Sequence, residues 1–361
     1  MRAAISGVGL WVPPHRRTND EWPADFGTNA SASARVLAEM PESAGDRIDR
    51  ICARHMAAER GDRFIGAKER RVVHETTESA EAEAEAAKTA LLDAGIEGRD
   101  IDVVMSWTMV PDRITPPAAT RVADIVGADR AWAMGTDAAC ASAVLQLSMA
   151  AALIETGRAR HVLLTQSNLM TRIFPMGHPA SPGIGDGATA IVVSPSERPG
   201  ILAVHGKTHG DHYRSLAYVR GSEPEEDTPW HRPGGAFCLG SKDRDGMKEL
   251  MGNTVRFGFE TTVSACERAK LRPEELDVLA CTQPRGWIPG AVAEALGLAP
   301  ERAPNTFSDY AHLGASSAIA NLLKARDAGA VRPGALVGIY SQGVGFTRAA
   351  AILRWAPDEA R

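Results

Sequence analysis

The sequence lacks a strong charge of either sign. Its 45 acidic and 40 basic side chains are spread along 361 residues and leave a formal net charge of −5 at pH 7. Proteins that bind nucleic acid usually concentrate Lys and Arg in a patch or a tail. The charge pattern therefore argues against nucleic acid as a partner, and a chain with 44% apolar residues can bury a large globular core.

Long hydrophobic runs are also missing from the amino terminus. The opening segment MRAAISGVGLWVPP has a short apolar stretch that glycines interrupt and that Pro13 and Pro14 end. Signal peptides and membrane helices need a longer unbroken run. We therefore expect a first β-strand that ends in a turn, no contact with a membrane and a cytoplasmic location.

Cysteine is scarce, and its spacing does not suit a metal ion. The odd number of cysteines includes no close pair that would give metal-ligand spacing. In a reducing compartment a cysteine is by default a small buried hydrophobic residue, and we expect no metal site. The five cysteines are Cys52, Cys140, Cys238, Cys266 and Cys281.

The glycine motifs do not predict a dinucleotide site. GVGLWVPP follows an expected strand but runs into prolines, and no acidic residue stands at the required distance after a helix. We therefore expect neither a nicotinamide nor another permanently bound cofactor.

The sequence does contain an internal repeat. A helix up to Gly95 leads to the strand-like run IDVVMSWT at 101–108, and a helix through Glu267 leads to the related run LDVLACTQ. The glycine turn and strand GIGDGATAIVVS at 183–194 return as GVGFTRAAAILR at 343–354. Any α/β protein shows isolated echoes of this kind, but several elements repeated in one order indicate a duplicated α/β unit.

The repeat predicts two halves related by a pseudo-twofold axis. We place the first half at 1–195 and the second half at 196–361. Within the first half, residues 28–62 are polar and helical in character and contain few strand-forming residues. We interpret them as a candidate helical insertion.

Cys140 is the candidate nucleophile. In ADRAWAMGTDAACASAVLQLSMAAALIETG, a turn of small residues precedes a helix that we expect to begin at about Cys140. Backbone N–H groups and the helix dipole at such a position lower a thiol pKa and favour the nucleophilic thiolate. Small residues around a cysteine also occur in tightly packed buried helices, so this segment alone leaves both interpretations open.

The repeat places His312 opposite Cys140. In FSDYAHLGASSAIANLLKARDAG of the second half, His312 has the position that Cys140 has in the first half. If the halves face each other, the two helix starts point to a shared centre. An imidazole beside a thiol can accept its proton and later handle the proton of the incoming group. A lone histidine is more often structural, and only the symmetric position singles this one out.

Several segments together resemble the β-ketoacyl-acyl-carrier-protein synthase III group of the thiolase superfamily. The resemblance covers nearly the whole chain apart from 28–62. It implies the α/β thiolase fold with five αβαβα layers, a homodimer, and Cys140 as the residue that accepts an acyl group from a CoA or carrier-protein thioester. The segments are FIGAKERR (64–71), IDVVMSWTMVPD (101–112), DAACASAV (137–144), GDGATAIVV (185–193), AHLGASSA (311–318) and the later GVGFT.

The sequence departs from that group at two positions. Members that condense with malonyl units have a histidine where LDVLACTQPRGW of this chain has Thr282, and an asparagine where it has His312. In those members the pair stabilises the enolate that forms when carbon dioxide leaves. A threonine offers one neutral hydroxyl, and losing a charge-stabilising donor costs ~3 kcal/mol of barrier or more. The departures argue against decarboxylative condensation.

We therefore interpret the chain as an acyltransferase in which His312 is the base for a hydroxyl or amine acceptor. This resembles a divergent branch of the family that serves natural-product pathways. Asp309 is a candidate to orient His312, although an aspartate at such a position is also a common N-cap. Two alternatives stay open: a decarboxylative carbon–carbon condensing enzyme that uses Thr282 and His312, and an inactive partner subunit of a heterodimeric synthase.

The resemblance also implies the remaining site residues. The backbone N–H groups of Cys140 and Val344 form the expected oxyanion hole, although tight-turn geometry alone explains the glycines on either side of Val344. Trp230, His231 and Trp287 are candidates to line the acceptor site, although buried aromatic residues are more often part of the core. The residues expected to contact substrate are Thr282, Gln283, Trp287, Phe64, Gly343 and Gly345.

The donor-binding residues are the least determined part of the sequence. Arg60 and Phe64 fall where the family stacks an arginine and an aromatic residue on CoA, in swapped order. A basic run can meet the acidic surface of a carrier protein, or it can be a solvated turn. That run consists of Arg63, Lys68, Arg70 and Arg71.

Overall fold

Strands and helices alternate along the part of the chain that a computed structural model describes, which is 2–26, 45–174, 176–178, 180–220, 237–240 and 243–356. The strands are β1 (Arg2–Trp11), β2 (Arg16–Thr18), β3 (Glu69–Arg71), β4 (Val103–Met109), β5 (Trp132–Gly135), β6 (Val162–Asn168), β7 (Gly187–Ser196), β8 (Ile201–Thr208), β9 (Ala217–Arg220), β10 (Phe237–Gly240), β11 (Val278–Cys281), β12 (Leu336–Gly343) and β13 (Thr347–Arg354). The α-helices are α1 (Arg47–Ala58), α2 (Ser79–Ala94), α3 (Ala118–Val126), α4 (Ser142–Glu155), α5 (Arg244–Gly252), α6 (Thr254–Ala269), α7 (Ile288–Ala295), α8 (Phe307–Tyr310) and α9 (Ser316–Asp327).

The first sheet uses strands from the amino-terminal part of the chain, in the order β1-β7-β6-β4-β5. β4 is parallel to β5 and to β6, whereas β7 is antiparallel to β6 and to β1. β6 is buried on both faces: Leu163 packs into one hydrophobic cluster, and Val162 and Leu164 pack into another. A strand covered on both sides needs apolar residues on both faces, which explains the apolar run at 162–164, and the polar residues at 165–168 that complete the strand are also buried.

The second sheet repeats this arrangement with strands from the carboxyl-terminal part, in the order β11-β12-β13-β8. β11 is parallel to β12, and β13 is antiparallel to both β12 and β8. Each strand therefore has a counterpart in the first sheet, and the additional strand of the first sheet, β5, lies at its edge. The two predicted strand echoes correspond to β4 with β11 and to β7 with β13.

Two helices fill the space between the sheets. α4 and α9 share one hydrophobic cluster with the inner faces of both sheets, to which Leu147 and Leu322 contribute. α2 and α3 cover the outer face of the first sheet, and α1, α6 and α7 cover that of the second. The predicted five-layered αβαβα fold is confirmed. Among the described helices, none has both the length and the apolar character required to span a membrane.

Equivalent strands begin at equivalent carboxylates. The carboxylate of Asp102, before β4, accepts hydrogen bonds from the backbone N–H groups of Arg160 and His161, which precede β6. The carboxylate of Asp277, before β11, accepts one from the N–H of Leu336 at the start of β12. This correspondence supports a duplicated unit. The proposed boundary at 195/196 lies at the end of β7 and stays a prediction.

The predicted insertion at 28–62 is described only in part, because 28–44 lie outside the described residues. α1 begins after Asp46, whose carboxylate accepts hydrogen bonds from the N–H groups of Ile48 and Asp49 and so caps the helix. Ile51 and Cys52 are buried against the outer helices of the second sheet. This part of the segment is therefore a packed helix of the outer layer.

Candidate active site

The starts of the two central helices bring Cys140 and His312 together. Cys140 lies in the short 3₁₀ turn Ala139–Ala141 immediately before α4, and His312 lies between α8 and α9. The Cys140 Sγ and His312 Nε2 atoms are 3.7 Å apart. His312 is 8% exposed, and Cys140 is half-buried. The predicted pair therefore has the separation required for proton transfer between sulfur and nitrogen.

Local hydrogen bonds hold the turn that carries Cys140. The Asp137 carboxylate accepts one hydrogen bond from the backbone N–H of Ala139 and another from the indole N–H of Trp107. The hydroxyl of Ser142 accepts a hydrogen bond from the N–H of Ala138 and donates one to the carbonyl of Ala139. These bonds fix the backbone on both sides of the thiol.

The expectation of a lowered thiol pKa was wrong. Burial raises the pKa of Cys140 to about 12, and the nearby Asp137 carboxylate raises it further. The thiol lies in the 3₁₀ turn ahead of the α-helix, and desolvation there outweighs the favourable backbone N–H groups. Burial also lowers the pKa of His312 to about 4, against a hydrogen bond with the backbone of Gln283 that raises it. At neutral pH the pair is therefore a thiol and a neutral imidazole.

Ser317 lies beside the ring nitrogen of His312 that faces away from the thiol. The Ser317 hydroxyl lies 3.1 Å from His312 Nδ1 and also accepts the backbone N–H of Leu313. For Nε2 to accept the proton of Cys140, Nδ1 must carry the hydrogen, and the Ser317 oxygen then accepts it. We assign this tautomer to the resting site.

The structure does not bring Asp309 to His312. Asp309 is in the first turn of α8, and its carboxylate accepts a hydrogen bond from the Ser308 hydroxyl and pairs with Lys324 at 3.3 Å. Its side chain is 48% exposed. The short helix turns this carboxylate away from the buried imidazole, so Ser317 takes the orienting position that the sequence interpretation gave to Asp309.

The glycine turn at 343–345 lies against the backbone of Cys140. A Cβ atom added to Gly343 would lie 2.6 Å from the Cys140 nitrogen, so only glycine permits this approach. Gly345 has a φ of 117°, a conformation that glycine adopts without strain. Val344 and Gly345 line a surface depression together with Asp137 and Ala139, beside the nucleophile. This placement suits the proposed oxyanion hole of Cys140 and Val344.

Thr282 and Gln283 lie at the end of β11, in different environments. The Gln283 side-chain amide donates hydrogen bonds to the Thr306 hydroxyl and to the carbonyl of Ala311. It therefore holds the turn before His312, which departs from the predicted substrate contact. Thr282 is fully buried, and its hydroxyl has no hydrogen-bond partner among the described residues.

Phe64 and Trp287 lie in clusters of their own. Phe64 contacts Trp22 and Phe26, with ring centroids 5.9 and 6.2 Å away, and Trp287 stacks on His55 of α1 at 6.4 Å. The structure thus gives both side chains a packing partner where substrate contact was predicted, because α1 and the segment at 22–26 cover them. Trp230 and His231 lie outside the described residues.

The basic run does not form one surface. Arg70 is fully buried, stacks on Trp22 at 4.3 Å and donates hydrogen bonds to the carbonyl of Pro182. Burial lowers the Arg70 pKa to about 10. Arg63 and Lys68 are exposed, so only part of the run remains accessible to a carrier protein.

Three polar residues of the site escaped the sequence interpretation. Ser317 lies in the segment AHLGASSA, but the sequence interpretation gave the orienting role to the acidic Asp309. Asp137 was treated only as part of a small-residue turn. Ser341 is a fully buried serine within β12 that carries no motif. The sequence feature that could have identified each of them as a site residue is a polar side chain within a segment of apolar or small residues. In the described part of the chain, no group of three or more His, Cys, Asp or Glu side chains is placed to hold a metal ion.

Comparisons with known proteins identify the family to which the chain is related. The family model of 3-oxoacyl-[acyl-carrier-protein (ACP)] synthase III matches residues 134–210, and the model of its C-terminal part matches residues 266–355. The chain is 30% identical to the β-ketoacyl-[acyl-carrier-protein] synthase III of Rhodospirillum rubrum over 362 residues, which covers 98% of this chain and 99% of the relative.

Solved structures show the same fold. The β-ketoacyl-[acyl-carrier-protein] synthase III from Thermus thermophilus matches with a TM-score of 0.77 and 26% identity, over 98% of this chain and 99% of that chain. The priming β-ketosynthase from the R1128 polyketide biosynthetic pathway matches with a TM-score of 0.77 and 24% identity, over 99% and 97% of the two chains. At that identity the second likeness shows the fold alone.

Proposed function

Because the chain belongs to the 3-oxoacyl-[acyl-carrier-protein] synthase III family, we propose that it is an acyltransferase that carries its acyl group on Cys140. The group comes from a CoA or carrier-protein thioester and passes to a hydroxyl or amine of a small molecule in secondary metabolism. The observation that carries this proposal is the 3.7 Å separation between Cys140 Sγ and His312 Nε2, at a site where Thr282 replaces the histidine of the condensing members.

The first step loads the enzyme. The Cys140 sulfur attacks the thioester carbonyl while its proton moves to His312 Nε2, so that neither group has to be charged at rest. The N–H groups of Cys140 and Val344 stabilise the oxyanion of the tetrahedral intermediate. The donor sulfur then leaves with the proton from His312, and the acyl group remains on Cys140 as a thioester.

The second step discharges the acyl group. With the thiol proton gone, Nε2 of His312 is free to take the proton of an acceptor that attacks the acyl-Cys140 carbonyl. The bond between carbon and sulfur breaks, and the sulfur recovers the proton from His312. The products are an ester or an amide and the original thiol, which completes a ping-pong cycle.

A decarboxylative condensing enzyme is the second candidate. The relatives reported above are named synthases, and these names support carbon–carbon condensation better than transfer to a hydroxyl or amine. Against it stand Thr282 and His312, which replace the histidine and asparagine that stabilise the enolate. An inactive partner subunit is the third candidate, and the retained pair of Cys140 and His312 argues against it.

The proposed function implies a set of partners. They are an acyl-CoA or acyl-carrier-protein donor, a small-molecule acceptor and a second copy of the chain. The homodimer has support from β5, an edge strand on which Trp132 is 67% exposed, because edge strands pair readily with another strand. Neither nucleic acid nor a membrane has a part in this proposal, and a cytoplasmic location stays a prediction.

Intact-protein mass spectrometry tests the proposal. The native chain, Cys140→Ala and His312→Ala are incubated with acetyl-CoA, butyryl-CoA and malonyl-CoA, with Cys266→Ala as a control that removes a buried thiol elsewhere. We expect an acyl adduct on the native chain and on Cys266→Ala and none on Cys140→Ala. In His312→Ala we expect slow loading and, after glycerol or propylamine is added, slow or absent discharge, because His312 accepts a proton in both steps. No adduct on the native chain favours the inactive subunit. Release of carbon dioxide with a lengthened product favours condensation.

A further inference from the structure

Two hydroxyls at the ends of adjacent strands have no hydrogen-bond partner. Thr282 follows β11, Ser341 lies near the end of β12, and both side chains are fully buried. Among the described residues, neither hydroxyl oxygen has a partner within hydrogen-bonding distance. A buried hydroxyl without a partner costs about 1–3 kcal/mol, so such groups usually serve a ligand or an ordered water.

The strand register places the two hydroxyls side by side. β11 and β12 are parallel, Cys281 is opposite Tyr340, and the N–H of Thr282 donates to the carbonyl of Tyr340. The next pair in this ladder is Thr282 with Ser341. Neighbouring strands lie about 4.8 Å apart, so one oxygen atom can reach both hydroxyls.

Both hydroxyls face the central helical layer. In β11 and β12, Ala280 and Ile339 belong to the cluster between the sheets, whereas Cys281 and Tyr340 belong to the outer cluster. Side chains alternate between faces along a strand, so the residues after Cys281 and Tyr340 return to the inner side. That side holds α4 and α9, whose starts carry the reactive pair.

The same strand ends reach the reactive pair directly. The side-chain amide of Gln283, next to Thr282, donates a hydrogen bond to the carbonyl of Ala311, the residue before His312. Gly343, two residues after Ser341, lies against the backbone nitrogen of Cys140. The two hydroxyls therefore lie close to the strand ends that contact the segments carrying His312 and Cys140.

We propose that Thr282 and Ser341 form a two-hydroxyl subsite that binds the nucleophilic oxygen of the acceptor, and that the acceptor is therefore an alcohol. This inference rests on the proposed acyltransferase function. One hydroxyl donates a hydrogen bond to the acceptor oxygen and orients it. The acceptor's own proton stays directed at His312 Nε2, and its oxygen forms the new bond to the acyl carbon as the bond to the Cys140 sulfur breaks.

The chemistry of the subsite favours an alcohol over other acceptors. A hydroxyl can both donate and accept hydrogen bonds, which matches a neutral alcohol oxygen. A malonyl carboxylate needs a positive or strongly polarised donor to bind it. An amine that arrives protonated needs a carboxylate nearby to bind its charge before it loses a proton and attacks. Thr282 and Ser341 offer neither charge.

Single-turnover kinetics on two conservative variants test the subsite. Thr282→Val and Ser341→Ala each remove one hydroxyl and keep most of the side-chain volume. Thr262→Val is the matched control, because the Thr262 hydroxyl is also buried without a partner among the described residues but belongs to the outer helix α6. Acyl-Cys140 is formed from the CoA thioester that labels the native chain best, and its discharge is followed with glycerol, glucose and propylamine as probes.

The expected result separates loading from discharge. Cys140 should load within about 3-fold of the native rate in all variants, whereas discharge to glycerol or glucose should fall about 10- to 100-fold in Thr282→Val and Ser341→Ala, with a higher KM for the alcohol. The two substitutions combined should cost less than the product of the single effects, because they serve one oxygen. Thr262→Val should behave as the native chain does.

Other outcomes overturn the subsite without touching the proposed function. Unchanged discharge in both variants shows that the hydroxyls do not bind the acceptor, and an equal loss of loading and discharge shows a structural role. A native acyl-enzyme that discharges to propylamine and not to the alcohols contradicts the acceptor class. A native chain that takes up no acyl group contradicts the proposed function itself.

Discussion

The two halves of the molecule hold each other's reactive residue. In the second half, the glycine turn packs on the first-half nucleophile, and a Cβ on Gly343 would lie 2.6 Å from the nitrogen of Cys140. In the first half, the N–H of Gly185 donates to the carbonyl of His312, and a Cβ on Gly185 would lie 1.9 Å from the carbonyl oxygen of Tyr310. Each reactive group is therefore positioned by the half that does not carry it.

The turns before the two reactive residues share one backbone conformation, and a different side chain follows each. Ala139, before Cys140, has a φ of 49°, and Ala311, before His312, has a φ of 56°. Both values are costly for a residue with a Cβ atom, and their repetition shows that the same turn is built twice. Duplication thus gives two equivalent positions, and the side chain at each decides which provides the nucleophile and which the base.

Disrupting the glycine contacts by which each half positions the other half's reactive residue should have the largest effect on the transfer rate. Gly343→Ala and Gly185→Ala each place a methyl group against the backbone of the opposite half. We expect each to lower the overall transfer rate by ~10²-fold, because small displacements of reacting groups are costly. Gly343→Ala should slow loading of Cys140 most, whereas Gly185→Ala should act on both steps through His312. The rates are measured by single-turnover mass spectrometry.

Gly206→Ala is the control for these variants. A Cβ on Gly206 would meet its nearest neighbour at 3.6 Å, an ordinary contact distance, and Gly206 lies in β8 of the second sheet. It should leave the transfer rate within about 2-fold of native and change stability by less than about 1 kcal/mol. If Gly343→Ala matches Gly206→Ala in rate, the two halves do not support each other's reactive residues.

The pH dependence should show the neutral pair. Because the pKa of His312 is lowered to about 4, transfer should stay level from about pH 6 to pH 9 and fall about tenfold per unit below pH 4. The unfolded chain protonates this histidine first, near pH 6.5, so its contribution to stability is complete above that pH and is lost as pH falls towards 4. A transfer rate that halves near pH 6.5 would contradict the buried neutral imidazole.

The sequence predicted the secondary-structure elements that occur in both halves. It did not predict the side-chain burial and contacts that are particular to one half. The repeated segments predicted strands of both sheets and the proximity of Cys140 and His312, because a duplicated unit places its corresponding residues at equivalent positions. The pKa direction of Cys140 was wrong because a motif shows that a helix begins nearby but not how deeply the thiol is buried. Asp309 was chosen for its charge, whereas packing placed the neutral Ser317 beside the imidazole.

The carboxyl-terminal ends of two equivalent helices allow a further comparison of the halves, with a smaller expected effect. α2 ends at Gly95 with a φ of 67°, and its counterpart α6 ends at Lys270 with a φ of 58°. Glycine adopts this conformation without the cost of a Cβ atom, which is about 1–2 kcal/mol. Lys270→Gly should therefore raise the free energy of unfolding by about 0.5–1 kcal/mol, because the greater freedom of glycine in the unfolded chain offsets part of the gain. Gly95→Lys should lower it by about 1 kcal/mol.

Urea denaturation followed by circular dichroism measures both changes. The double variant, with the two residue types exchanged, should be close to the native chain in stability, since the sites are independent. A loss of stability in Lys270→Gly would mean that its side chain contributes more than its backbone conformation costs, and the two helix ends would then not be equivalent.

The smallest effect should come from Asp309. Its ion pair with Lys324 is about half exposed on both sides, and such pairs contribute about 0–1 kcal/mol. Asp309→Asn should therefore leave the transfer rate within about 2-fold of native, as should Lys324→Met, which removes the other partner. A tenfold loss in Asp309→Asn alone would show that this carboxylate reaches His312 in solution. The second half would then hold its own base, and the reciprocal support between the halves would no longer account for the position of the imidazole.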